Sequence, residues 1–314
     1  MTIAFVVEAF PDLKAARQSP WLLHASELAK EGIEIQHFSE LESAWLPFDA
    51  MILMVWLDWG NVEYFQPAQI IPVMEKYSAY RAAFPKTVQI ILNHVDMSRR
   101  PYATPYWRMG DPILYRTPAY DRTELAPFPP RDIFAYERVW GSDCLSKHEI
   151  THLAGFIGTP SGPKGYRQRV AAETAKVGIG RCDPLRIPKP EYTAMLGSCR
   201  IIVCPQGWGE NSERHWDAWR SGRAVLTDRA CDSVEMIPGQ RLGENIHYLV
   251  YDDPVQIPDI VSDWSRPGRL ADLEEIASNG WQAALNYDSF NRIRDFFQSV
   301  GARAAGRGGG RVAP

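Results

Sequence analysis

"CRIIVCPQGWGENSERHWDAWRSGRAVLTD", residues 199–228, decides the fold. The apolar run CRIIVCP (199–205) closes on a proline, a glycine-bearing segment follows, and RAVLTD (223–228) restores an apolar run. Ser212 stands where a helix start is capped, so the stretch reads strand, loop, helix, strand. Such a unit, repeated, builds a parallel sheet covered by helices. Upstream, THLAGFIG (151–158) and VGIGRC (177–182) read as strands around the helical GYRQRVAAETAK (165–176), with another helix near 189–197. Downstream, GENIHYLVYDDP (243–254) suggests a turn before a strand, and LADLEEIASNGWQAALN (270–286) and SFNRIRDFFQSV (289–300) are helical.

The N-terminal half alternates in the same way. TIAFVVEA (2–9), IEIQHF (33–38), AMILMVW (50–56) and TVQIILN (87–93) read as strands. PWLLHASELAKEG (20–32) has helical periodicity ending in a glycine stop, and a second helix is expected over about 68–83. Residues 97–132 are rich in Pro, Arg and Tyr and are expected to be a long ordered loop. The expected domains are 1–148, 149–286, a C-terminal helix at 287–301 and a disordered tail at 302–314, where GARAAGRGGGRVAP has too little apolar content to fold.

A length of 314 residues with 45% hydrophobic content suffices for two cores. The net charge of −4 gives no global attraction to a phosphate polymer, so nucleic acid is not an expected partner. No window approaches the roughly 18–20 apolar residues of a membrane span. The start MTIAFVVEAFPD lacks a basic segment and reaches Glu8 too early for a signal peptide, so a cytoplasmic protein is expected. The five cysteines are odd in number and scattered, and are read as reduced core residues.

Chemistry concentrates after the strand at 199–205. Gly207 and Gly209 supply turns, Asn211 and Ser212 lead into the helix, and Arg214 and Asp217 ride on its first turns. Backbone N–H groups at a helix start, joined by a guanidinium, make a seat for a diphosphate. Asp217 is placed to accept hydrogen bonds from ribose hydroxyls, and His215 faces either the phosphates or the helix exterior. A competing motif is His148-Glu149-Ile150-Thr151-His152, the H-E-x-x-H spelling of a zinc hydrolase. Two histidines four apart share a zinc ion on a helix, but along a strand they stand about 13 Å apart. ITHLAGFIG, with two glycines and β-branched residues, is a poor helix and fills the place of a first strand, so no metal site is assigned.

The segment 192–228 resembles the donor-binding region of exostosin-like glycosyltransferases: a Tyr-bearing helix, a strand ending in Pro, a Gly loop, then an S-x-R-x-x-E-A pattern and a glycine before a Val-rich strand. Ser212, Arg214, Asp217, Ala218 and Gly222 fall on those positions, and Asp217 replaces the family's glutamate with a side chain one methylene shorter. Upstream, Phe156-Ile157-Gly158 matches the family's F-x-G strand end, and Arg167 or Arg169 its arginine. The resemblance covers about 150–255. It implies an α/β GT-B fold of two facing Rossmann-like domains, with a nucleotide-sugar donor on the C-terminal domain and a glycan or other hydroxyl-bearing acceptor on the N-terminal one. Gly158 and Arg167 thereby join Arg214, Ser212, Asp217, Gly207, Gly209, Asn211 and His215 as expected donor-binding residues.

No D-x-D occurs, which favours a reaction without a metal or other cofactor, in which helix dipole and basic side chains stabilise the leaving diphosphate. Retaining enzymes of this fold commonly carry two glutamates separated by seven residues; the position required before Asp217 is Gly209, so inversion is expected. Inversion needs a general base near the acceptor hydroxyl. Asp96 is the first candidate, followed by Glu8 and Asp58, all just after or at the end of N-terminal strands. A non-catalytic nucleotide-sugar-binding protein shares the donor site and remains an alternative, as does the zinc hydrolase.

Overall fold

The computed structural model describes residues 1–9, 24–55, 67–93, 113–115, 149–160, 165–183, 187–206, 213–232, 236–237, 240–286, 290–291, 294–298 and 301. Two compact units divide the chain: Met1–Ala135 together with Asp288–Pro314, and Tyr136–Tyr287.

In the first unit, β1 (Thr2–Ala9), α1 (Ala25–Lys30), β2 (Glu34–Phe38), β3 (Ala50–Val55), α2 (Pro67–Ala83), β4 (Val88–Asn93) and β5 (Ile113–Tyr115) follow one another. The strands form one parallel sheet in the order β2-β1-β3-β4-β5. The central strands β1 and β3 are flanked on both sides, which is why IAFVV and AMIL read as unbroken apolar runs. β2, at the edge, stays partly exposed. β5 corrects the expectation of a loop throughout 97–132; three residues are too few to show strand alternation in sequence. Phe290 stacks 5.7 Å from the His24 ring, so a segment late in sequence packs on the first unit.

The second unit runs β6 (His152–Gly158), α3 (Tyr166–Thr174), β7 (Gly178–Cys182), α4 (Lys189–Gly197), β8 (Cys199–Cys204), α5 (Glu213–Arg220), β9 (Ala224–Asp228), α6 (Arg229–Asp232), β10 (Leu249–Tyr251), α7 (Ile257–Trp264) and α8 (Leu270–Leu285). Its parallel sheet has the order β10-β9-β8-β6-β7, the same winding as the first. Neither α6 nor α7 was expected; one has four residues, and the other begins IPD, with a proline that reads as a break although it suits a first helical turn.

One face of this sheet carries Ala154, Phe156, Ile201, Val203, Ala224 and Leu226 against Val170 and Ala171 of α3 and Ile257, Val261, Leu273 and Ile276 of the last helices. Each fully buried aliphatic side chain there contributes about 1.5–3 kcal/mol. The backbone of α3 lies close on β7: a Cβ added to Gly180 would meet the Ala171 carbonyl at 1.8 Å. That approach fixes where the first turn of α3, with Tyr166 and Arg167, meets the strand ends. On the opposite face, His215 of α5 reaches Thr227 of β9. Among the described residues no helix is long and apolar enough to cross a membrane.

Candidate functional site

In a doubly wound sheet, ligands bind beyond the carboxyl ends of the strands where the winding reverses. In the second unit that point lies between β6 and β8, since β7 extends the sheet on one side and β9 and β10 on the other. Gly158 ends β6 and Cys204 ends β8.

Arg214, on the first turn of α5, runs into this point. Its Nη2 donates to the Ile157 carbonyl at 2.7 Å, and its guanidinium lies 4.8 Å from the centre of the Phe156 ring. A Cβ on Gly158 would stand 2.9 Å from Nη2, so a larger residue at this strand end would displace the guanidinium that lies against it. The Phe-Ile-Gly and Ser-x-Arg segments, separate in sequence, are thus two halves of one contact. Arg214 is only 8% exposed, and its Nε and Nη1 have no hydrogen-bond partner among the described residues. A buried guanidinium with two idle donors is costly unless an acceptor arrives.

Arg167 stands beside it. From α3 it donates through Nε to the Gln206 carbonyl at 3.1 Å and through Nη1 to the Thr159 carbonyl at 3.4 Å, both just past strand ends. Burial first, and the charge of Arg214 second, bring its pKa down to about 10. Two guanidinium groups within each other's field at the winding reversal concentrate positive charge suited to an anion. Arg169, the other arginine that matched the resemblance, is exposed and pairs with Asp253 at 2.9 Å.

Asp217 accepts a hydrogen bond from the Tyr192 hydroxyl of α4 at 3.0 Å, and burial pushes that phenol well up. His215 does not face the strand ends. It is fully buried between α5 and the sheet, with Nε2 2.9 Å from Thr227 Oγ1. Thr227 donates its hydroxyl hydrogen to the Cys204 carbonyl, so its oxygen accepts a hydrogen bond from Nε2–H of His215. The reason is helical phase: a residue next to one on the crevice side points about 100° away, here into the sheet. Arg223 is 9% exposed and donates to the Gly197 carbonyl at 2.9 Å.

Gly207, Gly209, Asn211 and Ser212 lie outside the described residues, as do Asp58, Asp96, the side chain of Glu8, and His148. Of the H-E-x-x-H stretch, 149–151 take no helical form and His152 opens β6. The helical turn that lets two histidines share a zinc ion is absent there.

No family model matches this chain, and no curated protein matches it. Solved structures do. HepE of Anabaena, solved with UDP, superposes with a TM-score of 0.51 at 11% identity, over 95% of this chain and 100% of that one. A glycosyltransferase from Rickettsia africae gives 0.51 at 11% identity, over 97% and 98%. Sucrose-phosphate synthase from Thermosynechococcus elongatus gives 0.53 at 9% identity, over 98% and 100%. The chain has the GT-B fold. Identities this low carry the fold alone, and on it the two arginines occupy the winding reversal of the second β/α unit.

Around that GT-B strand end the sequence reading missed three residues. Asp228, the last residue of β9 and 3% exposed, accepts from the Gln206 N–H at 2.7 Å and from the Tyr166 hydroxyl at 3.0 Å. Tyr166 also reaches the Tyr251 hydroxyl at 3.2 Å, and burial with the Asp228 charge pushes both phenols up. The partners are 22 to 85 positions apart in sequence, and no short motif announces them.

Proposed function

We propose that this protein is a glycosyltransferase that moves a sugar from a nucleotide-sugar donor to an acceptor hydroxyl, with inversion and without a metal. The observation that carries the reading is the buried Arg214, with Nε and Nη1 idle, beside Arg167 at the winding reversal. Arg214 and Arg167 would hold the diphosphate, with the N-terminus of α5 adding its dipole and backbone donors. As the glycosidic bond breaks, negative charge collects on the departing diphosphate; two fixed guanidinium groups meet it without reorganisation. They supply positive charge that a divalent ion would otherwise bring, in keeping with a chain that has no D-x-D. HepE, of the same fold, was solved with UDP, which makes UDP the first nucleotide to try.

The acceptor belongs, in this reading, to the first unit, where Asp96, Glu8 and Asp58 follow or end β4, β1 and β3 in sequence. Asp96 is proposed as the base that takes the acceptor proton, with a glycan or another hydroxyl-bearing molecule as acceptor. The proposed exostosin-like affiliation is supported by Phe156–Gly158 and Arg214, which meet in space, with Arg167 bonded to the next carbonyl, that of Thr159.

The test is a thermal-shift titration with UDP, GDP, CMP, ADP and TDP, with and without EDTA. Selective stabilisation by one nucleoside diphosphate, surviving EDTA, is expected; ligand at 100 times Kd contributes about 2.7 kcal/mol. No response to any of the five overturns the donor site. A response without sugar transfer to any hydroxyl acceptor, unaltered by Asp96→Asn, points to a non-catalytic binding protein.

A further inference from the structure

We propose that Asp228 is a positioning residue of the donor site, acting on the phosphate-facing guanidinium of Arg167 through Gln206 and Tyr166. The inference rests on the donor-site reading above.

The argument starts where the β8–β9 ladder stops. Cys204 pairs with Thr227, and the next residue of β8's chain, Pro205, has no N–H to continue the pattern. The following N–H, that of Gln206, turns to the Asp228 side chain and donates to Oδ2 at 2.7 Å. The other oxygen, Oδ1, accepts from the Cys231 N–H of α6 at 3.0 Å. Both carboxylate oxygens therefore receive backbone donors. A carboxylate can do this because it is an acceptor at both ends; an amide of the same shape has one oxygen and a donor NH2 in the other place.

The same carboxylate governs Arg167 from two sides. Gln206, held by its N–H, presents its carbonyl to Arg167 Nε at 3.1 Å. Tyr166, the residue before Arg167 on α3, donates its hydroxyl to the same Oδ2. Asp228 thus fixes both the acceptor that aims the guanidinium and the helical turn from which it extends. With 3% of its surface exposed, the carboxylate has little water to turn to in place of these partners. Such bonds from neutral donors to a buried charge are among the stronger ones in a protein.

Inorganic pyrophosphate and UDP serve as probes, with Kd measured calorimetrically well below the melting temperature of each full-length variant, so that only folded protein is read. Asp228→Asn weakens pyrophosphate or UDP by about tenfold, the equivalent of about 1.4 kcal/mol. Tyr166→Phe, which leaves both backbone bonds to the carboxylate, weakens them less. In an Arg167→Met background neither substitution weakens binding further, because the path runs through Arg167. Lower melting temperatures with unchanged Kd, or effects that add to that of Arg167→Met, overturn the positioning role. If Asp228→Asn does not fold, the cycle of Tyr166→Phe with Arg167→Met decides on the same criteria. A wild-type protein that binds neither probe refutes the donor site itself, and is distinguishable from wild-type binding left intact in Asp228→Asn.

Discussion

Replacing Arg214 by methionine separates binding from stability. Methionine keeps an unbranched, flexible side chain and removes the charge. The two idle donors, Nε and Nη1, go with it. Each buried unsatisfied donor costs about 1–3 kcal/mol. Lost in exchange are the 2.7 Å bond to the Ile157 carbonyl, worth about 1.5–3 kcal/mol, and the contact over the Phe156 ring, worth about 0.5–2 kcal/mol. Removing Arg214 also relieves the cation that helps depress Arg167. The two sides nearly cancel, so the ligand-free variant melts within a few degrees of wild type, or above it, at about 2–4 °C per kcal/mol for units of this size. Binding behaves differently. Truncating one partner of a buried charge pair costs about 2–5 kcal/mol, so affinity for the nucleoside diphosphate selected by titration falls roughly 30- to 4,000-fold. Differential scanning calorimetry and isothermal titration read the two quantities. A variant destabilised by more than about 2 kcal/mol that binds as wild type does would refute the anion-seat argument.

Arg167 predicts a pH dependence: burial and the charge of Arg214 hold its folded pKa, about 10, below that of the unfolded chain, so below pH 10 the ligand-free protein carries the cost of the crowded, buried charge, relieved as pH rises above about 10. Pyrophosphate affinity therefore falls as pH rises through about 10, and calorimetric titrations that stay flat through and above that pH would disprove it. Gly158→Ala forces a Cβ to 2.9 Å from Arg214 Nη2 and from the Phe156 ring, and is expected to weaken nucleotide binding by tenfold or more, about 1.4 kcal/mol, in a thermal-shift titration. His215→Ala opens a cavity between α5 and the sheet and strips Thr227 of a donor; it should cost about 2–4 kcal/mol in urea unfolding while leaving the Kd of the folded protein unchanged.

Element order was legible because it depends on neighbours. Apolar runs such as CRIIVC and AVLTD are buried on both faces, and the strands expected at 2–9, 33–38, 50–56, 87–93, 151–158, 177–182, 199–205 and 223–228 all have counterparts. Strands and helices of three or four residues escaped, since so few positions cannot establish a period. Among the site residues, Arg214 was legible from the helix start that follows the strand at 199–205, and Arg167 and Gly158 only through the family resemblance; the structure sets all three around the winding reversal.

Sequence by itself determined the alternation of strand and helix and, through the winding that alternation permits, the edge of the sheet where charge would gather. The tertiary structure alone decided which side chains reach that edge. Arg167 goes in and Arg169 goes out to Asp253. His215 turns into the sheet although it follows Arg214 directly. Asp228 closes on groups 22 and 62 positions away. Local sequence fixes periodicity, but the burial and pairing of a charge depend on strands and helices distant in sequence arriving at one place.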